Sequence, residues 1–185
     1  MKVLSSDIEL ASSVSSLTGL LKDVDDAENL KEQVETYISE SKDKLTGPTW
    51  EAVRSQMEGY SSLIDTRIAN ARELYDAIVS ANNVMSEWLP PDEEVDDAWL
   101  PELITEKNRL EAAIAEAKNS KPPSDTSVLE AQLAEVNRKI KKIEEMPGTD
   151  DTAYDHLSGA QATGEAFNLK ISSFTPSSVI PASSE

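Results

Sequence analysis

Cysteine is absent from the 185 residues, and histidine occurs once, as His156. The first absence excludes disulfides, thiolate nucleophiles and Cys-based zinc sites. The second excludes a multi-histidine metal centre and leaves His156 as a surface side chain on a weak helix. Basic residues are also scarce, 17 against 35 acidic ones, for a net charge of −18. Neutralising phosphate takes a surplus of Lys and Arg, so nucleic acid and anionic lipid surfaces are poor partners. No apolar run approaches a membrane span, and Met1-Lys2-Val3-Leu4-Ser5-Ser6-Asp7 has no continuous apolar stretch of the kind a signal peptide needs. No Gly-rich phosphate loop, G-x-S-x-G or H-E-x-x-H is present. The acidic run at residues 92–97 lacks the glycine that an EF-hand loop needs at its sixth position. Neither an enzyme nor a cofactor or metal site is expected, and no small-molecule substrate.

What the chain does have is 38% apolar and 28% charged residues with only 5% aromatics, a mixture that favours helices packed along narrow seams. Ser6-Asp7-Ile8-Glu9 has the spacing of a capping box. From there Leu10, Val14, Leu17, Leu21 and Val24 recur at steps of four and three, and Leu30, Val34 and Ile38 extend the stripe. Gly19 and the acids at 23–26 weaken it locally. Leu45-Thr46-Gly47-Pro48-Thr49-Trp50 then interrupts the pattern. Gly47 tolerates a backbone conformation other residues resist, and Pro48 suits the first position of a new helix. One helix should end near Leu45 and another begin at Pro48, folded back as an antiparallel hairpin. After the bend, Trp50, Val53, Met57, Tyr60, Ile64, Ile68, Ala71, Tyr75, Ile78 and Met85 keep the beat as far as Trp88-Leu89, giving a helix of about 40 residues, roughly 60 Å long, with a coiled-coil-like regularity.

Pro90-Pro91 ends this arm. Pro101 suits the first turn of a third helix carrying Leu103, Leu110, Ile114 and Ala117, and Lys121-Pro122-Pro123-Ser124 turns the chain. Ser127-Val128-Leu129-Glu130 repeats the capping-box spacing, and Leu129, Leu133, Val136, Ile140 and Ile143 repeat the four-three beat. Met146-Pro147-Gly148-Thr149-Asp150 should close this second, shorter hairpin. The predicted architecture is all-α: an elongated hairpin at 6–89, a second at 99–146, a weak helix at 151–170 with Gly159 and Gly164 in it, and a Ser/Pro-rich tail or linker at 172–185.

Three of the nine aromatics are tryptophans, one at the bend and two beside the acidic double-proline linker. Trp50, Trp88 and Trp99 either seal the ends of core seams or contact a partner, Trp being enriched at binding hot spots. Leu45 and Gly47 have an equally plain reading, since glycine commonly ends helices.

Placed at the bend of a long hairpin near the N-terminus and followed by Trp50-Glu51-Ala52-Val53-Arg54, Leu45-Thr46-Gly47 resembles the motif of LXG domains, found in type VII secretion substrates of Gram-positive bacteria. It is similar also to the smaller secreted WXG proteins, which carry Trp-x-Gly at the same bend. The resemblance implies a targeting domain over residues 1–171 that accompanies a toxin, pairs with small WXG-like helical proteins and meets the type VII machinery. It implies synthesis in the cytoplasm and export to the outside or the cell surface without a classical signal peptide or stable membrane insertion. Leu45, Gly47, Pro48 and Trp50 would form the bend, and Met57, Ile64, Ile68, Ile78 and Trp88 are candidate seam or partner contacts. The aromatic-x-x-x-acid export signal of the small WXG proteins is missing: Tyr75, Tyr154, Phe167 and Phe174 are followed four residues on by Val79, Ser158, Ile171 and Ser178. A partner would therefore supply it. The alternatives are a helical accessory or chaperone partner of such a toxin, and a structural coiled-coil scaffold with no secretion role.

Overall fold

The periodic apolar stripes do fold as helices. A computed structural model describes residues 1–8 and 15–174, and with 84% of the chain helical the class is all-α. In chain order the elements are strand β1 (Lys2–Leu4), helix α1 (Ser15–Ser41), helix α2 (Pro48–Trp88), strand β2 (Glu94–Asp96), a 3-10 turn (Asp97–Trp99), helix α3 (Leu100–Asn119) and helix α4 (Ser127–Ser173). The three long helices α1, α2 and α4 pack antiparallel, α1 on α2 and α2 on α4. Gly19 and the acids at 23–26 lie inside α1 without interrupting it. Glu9 of the expected capping box and Leu10 and Val14 of the expected first stripe fall outside the described residues, as does the tail from Thr175 onward. The chain divides into two units, one of residues 1–12 and 81–154, the other of residues 13–80 and 155–185.

In the first unit the sequence pattern understates the structure. Residues 2–4 were expected to precede a helix and residues 92–97 to form an acidic linker; instead they pair as an antiparallel ribbon, Lys2 opposite Asp96, Val3 opposite Val95 and Leu4 opposite Glu94. Alternation explains it. Val3 and Val95 point the same way and are buried, while Lys2, Glu94 and Asp96 beside them are charged and reach water. Lys2 pairs with Glu94 at 2.9 Å, and the Met1 ammonium pairs with Asp97. Val3, Ile8, Trp88, Leu89, Val95, Ile143 and Met146 form the core. Leu89 and Leu110 are almost wholly buried, each contributing about 2–3 kcal/mol through burial.

Helix α4 overturns a predicted break. Met146-Pro147-Gly148-Thr149-Asp150 does not end the second hairpin; a single helix runs through Pro147 to Ser173. The proline has no N–H for the carbonyl of Ile143, a loss a helix interior ordinarily resists. Packing offsets it: Ile143 and Met146 just before the proline, and Ala153 beyond it, are all buried. Thr149 and Thr152 donate their hydroxyls to the carbonyls of Glu145 (2.9 Å) and Gly148 (2.8 Å), covering backbone acceptors around the break in the ladder. The start of α4 is also shifted from the expected capping box. Ser127 donates its N–H to Asp125 Oδ1 at 2.9 Å, and Thr126, not Ser127, bonds the Glu130 carboxylate, at 3.2 Å. Glu130 also pairs with Lys118 of α3 at 2.9 Å.

In the second unit the core is thin. Val24, Ala27 and Ile68 are buried, with Ile64 and Ala71 against them. Polar pairs mark the antiparallel registers: Lys31 with Asp65 at 2.6 Å and Arg72 with Glu28 between α1 and α2, Thr163 with Glu73 (2.9 Å) and Lys170 with Thr66 (2.8 Å) between α4 and α2. Ala160 is buried, and Gly164 lies near the Asn70 side chain, so small residues let α4 approach α2. Phe174, assigned from sequence to the tail, instead packs its ring against Tyr60, centroids 5.5 Å apart, and against Gly59.

Candidate functional site

The bend is built by three devices in succession. Helix α1 stops at Ser41, four residues earlier than Leu45, and the N–H of Leu45 closes the turn by donating to the Ser41 carbonyl at 2.8 Å. Gly47 then takes φ +109°, and a Cβ there would meet no atom within 4 Å, so the demand for glycine comes from the backbone and not from crowding. Pro48 opens α2, whose first backbone bond runs from the Glu51 N–H to the Gly47 carbonyl at 3.1 Å.

Arg54 locks the bend, a role the sequence did not announce. Its Nη1 donates to the carbonyls of Leu45 (2.9 Å) and Ser41 (3.3 Å), placing a cation over the negative, carbonyl end of α1 and its turn. Leu45 is half-buried and lines a cleft of ≈ 260 Å³ with Tyr37, Glu40, Ser41 and Lys44. Trp50, 39% exposed, does not seal a seam.

The same unit carries an open apolar groove of ≈ 510 Å³. Helix α1 lines it with Leu30 and Val34, α2 with Met57, Tyr60, Leu63, Ile64 and Arg67, and α4 with Phe167 and Ile171. Leu30 is 51% exposed and Ile171 47%, values that a finished core would not show. Of the five candidate contacts, Met57 and Ile64 line this groove, Ile68 is buried in the α1–α2 seam, and Ile78 is half-buried outside it.

Trp88 requires a correction. It is 6% exposed in the first unit's core, where its Nε1–H donates to the Lys142 carbonyl at 3.2 Å and Lys142 Nζ donates back to the Trp88 carbonyl at the end of α2. An indole so enclosed, with its one donor satisfied, offers a partner nothing. The groove residues Leu63 and Arg67 escaped sequence reasoning, although the signal for Arg67 was present: one turn away on α2 stand Leu63, Ile64, Asn70 and Ala71, none of them acidic.

Among the described residues no cluster of three or more His, Asp or Glu is placed to hold a metal ion, and no helix is long and apolar enough to cross a membrane. No family model matches the chain, nor does any curated protein or solved structure.

Proposed function

We propose that the chain is a non-catalytic recruitment module of the LXG type, which binds small WXG-like helical proteins side by side and accompanies a toxin through type VII export. The observation that carries this reading is the conjunction, in one unit, of the Leu45-Thr46-Gly47 bend and an apolar groove that the described residues leave open on the hairpin that the bend creates. The mechanism is helix addition. A partner helix covers the exposed stripe, and burial of Leu30, Met57, Ile64 and Ile171 drives association. The bend fixes how α1 and α2 leave each other, and Trp50 beside it is free to contact the partner or the secretion machinery.

Co-expression of the full chain with small helical proteins encoded beside it tests this. A defined heteromer, weakened by Leu45→Asp and Gly47→Val in variants whose helical content is unchanged, supports recruitment. A stable homodimer indifferent to those proteins would overturn it in favour of a structural scaffold.

A further inference from the structure

We propose that the groove of the second unit takes an amphipathic helix of a partner protein that sets an Asp or Glu side chain against Arg67, with apolar anchors one turn to either side. This rests on the recruitment reading and adds the partner's chemistry to it.

Helix α2 contains three basic residues, Arg54, Arg67 and Arg72. Two are engaged: Arg54 caps the end of α1, and Arg72 pairs with Glu28. Arg67 has no ion pair or hydrogen bond among the described residues, and it is the one charged side chain lining an otherwise apolar groove. A guanidinium stays charged at any ordinary pH. A wholly apolar helix laid over the groove would strip water from that charge without replacing it, which is unfavourable. A carboxylate placed there by the partner restores the lost hydrogen bonds in bidentate form.

The net charge narrows the partner further. With −18 on the chain, a generally acidic helix would be repelled, so the acid must be local, opposite Arg67, on a helix otherwise neutral or basic. The groove's own spacing favours a helix over an extended strand. From Met57 to Arg67 the α2 lining recurs at steps of three and four over about 15 Å, long enough to receive a helix whose anchors at i, i+4 and i+7 span about 10 Å.

The test pans a displayed library of helical peptides, with apolar residues fixed at i, i+4 and i+7 and the rest randomised, against the full chain. Binders enriched in Asp or Glu one turn from an anchor are expected. Arg67→Glu, at an exposed position, should fold as before, weaken those binders about tenfold or more, and on renewed panning select Lys or Arg instead. Leu30→Asp should abolish binding in both backgrounds. Binders without an acidic preference, binders indifferent to Arg67→Glu, or no binders at all would overturn the inference. So would self-association of the chain lost on Leu30→Asp, which would assign the groove to a second copy. Acid-selective, Arg67-dependent binding without capture of any neighbouring small helical protein would sink the recruitment reading and leave this one standing. Capture of such a protein with no sensitivity to Arg67→Glu would do the reverse.

Discussion

The two units draw on the same helices, α2 and α4, and end up differently finished. Twelve of the sixteen buried apolar residues among those described belong to the first unit and four to the second, two of these being alanines. Helix α2 keeps its four-three beat through both, so periodicity is not the source of the contrast. Cover is. In the first unit the ribbon of β1 and β2 lays Val3 and Val95 into the core beside Trp88 and Leu89. In the second, Leu30, Met57 and Ile171 line a groove that the described residues leave open. A stripe read from sequence gives the number of apolar residues on a face. It does not say which surfaces cover them.

Core truncation should separate the units most. Leu110→Ala in the first unit is expected to cost about 3–5 kcal/mol and Ile68→Ala in the second about 2 kcal/mol, by denaturant unfolding; equal losses would erase the contrast. Next comes Gly47→Val, which forces a β-branched residue to φ +109° and should destabilise by about 2 kcal/mol in thermal unfolding. Pro147→Ala should act in the opposite direction, returning a backbone donor to α4 and stabilising by about 1 kcal/mol. A loss there would mean that the proline is a required part of the first unit's packing. Leu30→Asp should change stability by less than about 0.5 kcal/mol, because its side chain is already half in water; a large loss would show the groove to be core.

The smallest effect is electrostatic and again distinguishes the units. Four carboxylates of the first unit are held below their ordinary range: Glu106 by Arg109, Asp125 by the Ser127 N–H, Glu130 by Lys118 and Glu135 by Arg138. A lysine is raised in each unit, Lys2 of the first bonded to Glu94 and Lys31 of the second bonded to Asp65, so the depressed carboxylates alone set the units apart. A depressed carboxylate adds stability above its unfolded pKa and loses it as pH falls through the folded value, here below about pH 4. The raised lysines work at the other end, losing their contribution only as pH climbs through their folded values. These groups are exposed or half-exposed, so the effect is slight. Carboxyl NMR titration should show the four midpoints below those of free side chains, and ordinary midpoints would remove this distinction between the units.

Sequence and structure agree where one helix face decides the outcome. Pro48 and the stripe to Trp88 give α2 its observed bounds, and Pro101 falls in the first turn of α3 as expected. They part where distant segments meet. Nothing local to Lys2–Leu4 announces a strand, because its partner lies some ninety residues away and three residues show too little alternation to read. Pro147 signals a stop in isolation, and only the burial of Ile143, Met146 and Ala153 around it carries the helix through. At the site, Gly47 and Pro48 were legible from their backbone chemistry. Arg54 was not, since its hydrogen bonds reach carbonyls nine and thirteen positions earlier across the turn. Trp88 misled because sequence cannot tell a sealed indole from an offered one.

The ribbon also sets a timetable for the ribosome. Strand β1 is translated first, but its mate, Glu94–Asp96, follows only after roughly 5–20 s at ordinary elongation rates. In that interval Val3 has no strand to lie beside. Since residues 13–80 fall between the two pieces of the first unit, and residues 81–154 between those of the second, neither unit can be completed before most of the other has been made. A single cut inside α2 would therefore not release either unit intact, and the chain must mature as one piece.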